Sequence, residues 1–275
     1  MKKSISIFNE KGMEIPAEYI CGEDEKPVVI MAHGLQGSKD EYLDTQKRIA
    51  ESLEVIGIGS LRIDFRGHGD SKIPLDEFSL ASQVDDLSTA VKWLSEIRKN
   101  IRIIPMGISF GAPPALILSE LYRGITEKCV LIAPVTDYKS TFLYPKTQWG
   151  KDIFGYERIV RGICSDALYV EGNYILRKNV LMDMLLADIP SFVKSTDYEI
   201  CIFHGVCDGL VPISTSEKLS TIRKNIKLVC LEQTEHGLTE TGDEDFSSPV
   251  TNSNLAKVVT EVANQMVGGE SYGKD

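Results

Sequence analysis

The sequence predicts one α/β domain, a mostly parallel sheet of eight strands with helices on both faces and one inserted segment. Three observations carry this reading. Short apolar runs alternate with amphipathic segments along most of the chain. The later runs are apolar almost throughout, as strands covered on both faces must be. A stretch of roughly fifty residues past the middle interrupts the alternation, too long for a plain connection in a compact domain. With 275 residues and 43% hydrophobic content the chain can bury a large core.

The predicted strands are residues 4–8, IPAEYI (15–20), VVIMAH (28–33), GSLRIDF (59–65), IRIIPMG (101–107), CVLIAP (129–134), EICIFHG (199–205) and IKLVCLE (226–232). The first two have no helical pattern between them, which predicts an antiparallel pair at one edge. EYLDTQKRIAESL supplies the helix between the third and fourth. SQVDDLSTAVKWLSEIRK is the clearest helix: Val84, Leu87, Val91, Leu94 and Ile97 recur at spacings of three and four, opposite a charged face. Further helices are predicted directly after Ser109, over STSEKLSTIR and over the terminal TNSNLAKVVTEVANQM.

From about Asp137 to Ala187 the chain is rich in aromatics and shows no clean strand, only short helical patches. It reads as a lid (137–187) inserted into a core made of residues 1–136 and 188–270, with 271–275 as a flexible tail. No internal repeat or low-complexity linker is evident.

Lysine and arginine number 30 against 40 aspartate and glutamate, and the net charge of −10 argues against nucleic acid or an anionic membrane as the main partner. The amino terminus has two lysines but no apolar run behind them, and no stretch reaches the 18 or so residues needed to cross a bilayer, so the expectation is a cytoplasmic protein. The cysteines at 21, 129, 164, 201, 207 and 230 lack CxxC spacing and mostly sit in strand-like runs; they are expected to be buried free thiols. The histidines and acids have no metal-ligand spacing, and no metal or cofactor is implied.

The residues that carry chemistry begin at PMGISFGA, 105–112. One serine between two glycines, at the end of a buried strand and the start of a helix, suits a sharp turn that lifts the Ser109 hydroxyl above the sheet. The helix entry adds free N–H groups and a positive dipole end, and Pro113 and Pro114 are tolerated in a first helical turn. Alone, the pattern fits equally a serine that caps its helix. A serine nucleophile also needs a base, and the base needs an orienting carboxylate. All four histidines lie at or just beyond the carboxyl end of a predicted strand. His236, in TEHGL after the last strand, is the candidate base, and Asp208, in HGVCDGLVP after the strand before it, is the candidate acid. Asp208 alone could be a turn residue and His236 a cap, but the order Ser, Asp, His, each after its own strand, favours the joint reading. The oxyanion donors expected are the backbone N–H groups of Phe110, next to the serine, and of Leu35 in HGLQGS.

Together HGLQGS, DFRGHGDS, GISFGA, HGVCDGLVP and TEHGL resemble the ordered landmarks of the α/β-hydrolase superfamily, across roughly residues 28–240. The resemblance is closest to its bacterial lidded esterases, the cinnamoyl or feruloyl esterase-like and serine aminopeptidase-like groups. It implies an α/β-hydrolase fold and a serine hydrolase, with Ser109, Asp208 and His236 as nucleophile, acid and base. Leu35 stands where many relatives have phenylalanine, and Ile108 and Phe110 where many have histidine or glutamine. The implied substrate is a small-molecule carboxylic ester. An amide, peptide or thioester hydrolase, an acyltransferase and an inactive ligand-binding scaffold are the alternatives, and the sequence leaves a homodimer open. His33, Phe142, Tyr144 and Trp149 are candidate substrate contacts; His68 and His204 are expected to be structural.

Overall fold

The computed structural model describes residues 2–170, 172 and 174–264. The predicted tail at 271–275 and the last two residues of the predicted terminal helix lie outside them. Strands β1 (Lys2–Phe8) and β2 (Glu14–Ile20) pair antiparallel at one edge. Strands β3 (Val28–Ala32), β4 (Gly59–Ile63), β5 (Ile103–Ile108), β6 (Lys128–Ile132), β9 (Glu199–Gly205) and β10 (Ile226–Leu231) complete an eight-stranded sheet in the order β1-β2-β4-β3-β5-β6-β9-β10. β2 meets β4 antiparallel, and every pairing from β4 to β10 is parallel.

Successive strand residues enter two different cores, one on each face. Val28, Ile30 and Ala32 pack on one side with helices α2 (Leu80–Ile97) and α3 (Ala112–Leu121). Val29 and Met31 pack on the other with α1 (Thr45–Val55) and α9 (Pro249–Ala263). Each fully buried aliphatic side chain contributes on the order of 1.5–3 kcal/mol, so these double-sided strands dominate the fold's stability. Helix α2 starts where Ser79 and Ser82 cap each other's backbone N–H. α8 (Ile213–Ser220) lies between β9 and β10 in the chain.

Between β6 and β9 the inserted segment forms short helices α4 (Gln148–Ile153), α5 (Tyr156–Ser165), α6 (Lys178–Leu186) and α7 (Ile189–Lys194). It also contains an antiparallel hairpin, β7 (Ala167–Tyr169) with β8 (Ile175–Arg177). The hairpin corrects the expectation of no strand here: three residues per strand are too few to leave a period in the sequence. Phe142, Phe154, Ile159, Leu176 and Leu181 join the same buried cluster as Phe110, so the insertion packs on one face of the sheet.

The cysteines also depart from expectation. All six are free, but only Cys129 and Cys201 are buried. Cys230 is exposed because β10 is an edge strand, and Cys207 because it lies in the turn beyond β9.

Candidate active site

Ser109 follows β5 directly and begins the turn into α3, with φ of 52°, left-handed for a residue that bears a side chain. Such a backbone costs on the order of 1–3 kcal/mol and persists only where its surroundings fix it. Here they do: a Cβ on Gly107 would lie 2.4 Å from the Gly111 carbonyl oxygen, and one on Gly111 would lie 2.2 Å from that of Ala32. The Val135 N–H donates to the Ser109 carbonyl at 3.0 Å, tying the turn to the loop after β6. Because the clashing atoms are backbone, Gly111→Ala is expected to lose about 1–3 kcal/mol or more, read as a lower urea midpoint with unchanged slope.

Asp208, in the turn after β9, has a side chain closed to solvent that accepts three N–H hydrogen bonds and lies near His204, whose Nε2–H donates to the Val211 carbonyl (3.1 Å). One oxygen accepts from the backbone of Leu210 (2.8 Å) and Val211 (2.9 Å); the other faces His236 Nδ1 (2.8 Å) and His204 Nε2 (3.1 Å). Burial alone would raise this carboxyl, but the two histidines and the donated hydrogen bonds outweigh it and hold it well below the usual carboxylate range. His204 is fully buried, with its other nitrogen 2.7 Å from the Ser216 hydroxyl. His236 lies in the loop beyond β10 and is partly exposed. Burial disfavours its charged form, yet Asp208, with Glu41 behind it, raises the imidazole above its ordinary value. With Nδ1–H donated to Asp208, Nε2 is left as a proton acceptor.

Ser109 and His236 line one cavity of about 600 Å³, together with Leu35 and Phe110. Among the described residues the Ser109 hydroxyl makes no hydrogen bond to the imidazole, a contact often long without substrate. The cavity lining includes apolar Val135, Phe142, Trp149 and Leu210 and the exposed Tyr42, Cys207 and Glu235. In the HGLQGS loop the Gly34 N–H is taken by Glu41 (2.6 Å) and the Gly37 N–H by the Gly34 carbonyl (3.2 Å). The Leu35 N–H has no hydrogen-bond partner among the described residues. The Phe110 N–H belongs to the first turn of a helix, where backbone donors lack intrahelical partners.

The other expected contacts divide. Phe142 and Trp149 line the cavity, whereas Tyr144 does not: it is exposed and stacks on Tyr156 at 6.2 Å. His33 is fully buried and also lies outside the lining. Its Nδ1–H donates to the Gly34 carbonyl (2.7 Å), its Nε2 accepts from the Phe65 N–H (3.1 Å), and burial pushes its pKa down to about 3. His68 likewise sits beneath the loop. Cys207 is not the buried thiol expected of it but an exposed residue of the cavity lining.

Of two residues beside the site, Glu41 was not singled out from sequence and His204 was expected only to be structural. Glu41 presents a carboxylate raised by burial to the Gly34 N–H, on a backbone with φ of 63° that no propensity rule foresees. His204 joins Asp208 from the preceding strand, and its spacing of four in HGVCD was the available signal. Among the described residues no group of three His, Cys, Asp or Glu could hold a metal ion. No helix there is long and apolar enough to cross a membrane.

A mostly parallel eight-stranded sheet with a strained serine turn after its central strand β5 is the α/β-hydrolase fold, and the protein is a hydrolase of that superfamily. Residues 23–243 match the model of the serine aminopeptidase, S33, family, and the chain belongs to it. Similar solved structures include Est1E of Butyrivibrio proteoclasticus with ferulic acid bound (TM-score 0.74, 21% identity, 96% of this chain and 98% of that one covered). They also include mouse alpha/beta hydrolase domain-containing protein 10 (0.71, 14%, 96% and 98%) and a Pyrococcus furiosus esterase (0.66, 19%, 98% and 91%). At these identities the likeness speaks to the fold. None of the curated proteins matches the chain in sequence.

Proposed function

We propose that the protein is a serine hydrolase that cleaves carboxylic esters of a small or medium acyl or aryl group through an acyl-enzyme on Ser109. The observation that supports this best is the Asp208–His236 hydrogen bond at 2.8 Å, whose imidazole shares a cavity with Ser109. His236 Nε2 takes the Ser109 proton as Oγ bonds to the ester carbonyl carbon; the backbone N–H groups of Leu35 and Phe110 stabilise the oxyanion. Collapse breaks the bond to the alcohol, which leaves with the proton from His236. Water then gives a proton to the same nitrogen, attacks the acyl carbonyl, and Ser109 departs with that proton. The inserted segment acts as a lid whose Phe142 and Trp149 contact the acyl or aryl group, and the apolar lining residues and the ferulic acid seen in Est1E both favour an aryl acid.

The test is labelling by a fluorophosphonate probe, expected on Ser109 of the native protein. An unlabelled native protein would sink the proposal. The family's description as serine aminopeptidases favours a second reading, cleavage of amides by the same groups. A panel of p-nitrophenyl esters against aminoacyl amides separates the two by which set gives the higher kcat/KM.

Because His236 must be neutral to accept the serine proton, activity should be lost as pH falls through its pKa. Asp208 and Glu41 raise that pKa, so the acid limb of kcat/KM is expected above the ordinary imidazole value of about 6.5. A pH–rate profile on a short-chain p-nitrophenyl ester checks it; a limb below that value would contradict the electrostatics described.

A further inference from the structure

We infer that Glu41 is a positioning residue whose carboxylate, by gripping the Gly34 N–H, sets the direction of the Leu35 backbone N–H. The inference rests on the proposed role of Leu35 as an oxyanion donor. Glu41, Gly34 and Leu35 line the same cavity as Ser109. Glu41 Oε2 accepts from the Gly34 N–H at 2.6 Å, and Oε1 accepts from the Tyr42 N–H at 3.2 Å. Among the described residues no lysine or arginine pairs with this carboxylate. A carboxylate set away from such a cation is costly, so its place beside the nucleophile calls for a reason.

The reason lies in Gly34. The Leu35 N–H shares one rigid plane with the Gly34 carbonyl and points the opposite way. That carbonyl accepts from His33 Nδ1–H at 2.7 Å and from the Gly37 N–H at 3.2 Å. The plane before it carries the Gly34 N–H, and Glu41 holds that one. Between the two planes stands a residue with no side chain, free to turn where any other would be restricted. Nor can a side chain stiffen it: a Cβ at Gly34 would crowd Ser109 Cβ at 3.3 Å and meet Glu41 Oε2 at 3.5 Å. Closeness to the nucleophile keeps the position a glycine, and the carboxylate restores the rigidity that a glycine lacks. Glu41 is itself set for the task. Its N–H donates to the Ser38 carbonyl at 2.9 Å, and its left-handed φ of 63° turns the chain back so that a side chain seven residues on reaches Gly34. A charge-assisted bond of this kind is roughly twice as strong as a neutral one.

The test compares Glu41→Ala with Glu41→Gln, both read on the plateau above the acid limb so that a change at His236 cannot pass for a lost donor. Loss of a whole oxyanion donor costs about 10²–10³ in kcat, so a donor left in place but poorly aimed is expected to cost the alanine variant roughly 10–100-fold, with KM within about twofold. Glutamine keeps an accepting oxygen for the Gly34 N–H and is expected to bring kcat back to within about fivefold of native. Amide hydrogen exchange of the loop peptide containing Gly34 and Gly37 should quicken in the alanine variant while a peptide spanning β5 keeps its protection. An alanine variant with kcat within about twofold of native overturns the inference. So does a raised KM with kcat unchanged, which would make Glu41 a substrate contact. A glutamine variant as slow as the alanine one overturns it too, because the charge and not the grip on Gly34 would then matter. Equal loss of protection in both peptides has the same force, since the side chain would then hold the fold rather than the loop. Fluorophosphonate labelling of the native protein is run alongside. Its absence defeats the hydrolase reading, and the exchange measurement still judges Glu41.

Discussion

Ser109→Ala is expected to lower kcat/KM on a p-nitrophenyl butyrate substrate by on the order of 10⁴-fold or more while leaving the urea midpoint close to native. The size follows from how a nucleophile, base and carboxylate act as a unit: removing the nucleophile removes almost everything the unit does, and only donor and binding effects remain. Stability should change little, because the Ser109 hydroxyl makes no hydrogen bond within the described protein and alanine fits the same turn. Alanine still pays for the left-handed φ of 52°, so no stabilisation is expected. A variant that kept more than about a tenth of native activity would mean the chemistry runs elsewhere, even with Asp208 and His236 intact.

Asp208→Asn is expected to be nearly as severe, about 10⁴-fold in kcat, for a different reason. The aspartate accepts three N–H groups, has His204 Nε2 3.1 Å away, and donates none. An asparagine offers one accepting oxygen. If that oxygen stays with Leu210 and Val211, its NH₂ faces His236 and demands an unprotonated Nδ1, which moves the ring proton to Nε2, where the serine needs an acceptor. The imidazole also loses the carboxylate that raised its pKa, so the acid limb of any residual activity should move to lower pH. Unlike the serine variant, this one should also unfold at lower urea, since a charge-assisted network closed to solvent is broken. Activity and urea midpoint measured on both variants distinguish the two roles.

Much of the fold was legible in the sequence because most of the sheet's strands are apolar on both faces. All eight predicted runs are strands of the main sheet, and the β1–β2 pair followed from the missing helix between them. The helix at EYLDTQKRIAESL was placed four residues too early. Glu41, Leu43 and Asp44 all have positive φ, a conformation imposed by packing around the loop after β3 that composition does not encode. Ser109, Asp208 and His236 were legible as positions because each stands in a glycine-bearing turn after a strand, and parallel strands deliver such turns to one rim. What was hidden depended on meetings between distant parts: Glu41 turning back onto Gly34, and Tyr174 crossing from the insertion to His68, 106 residues away. Tyr144 and Tyr174 look alike as aromatics in the insertion; one stacks in solvent and the other hydrogen-bonds His68, and only the packing separates them.

A column of rings runs from the serine turn outward: Phe110 lies parallel to Tyr138 at 5.7 Å and beside Phe142 at 6.0 Å, and Phe142 meets Phe154 at 4.8 Å. All four are at most 3% exposed. Swinging the whole roof aside would wet several of them at once, at roughly 1.5–3 kcal/mol apiece. Keeping these rings dry is therefore expected to favour a roof that stays packed on the sheet, so that opening it is the costly step.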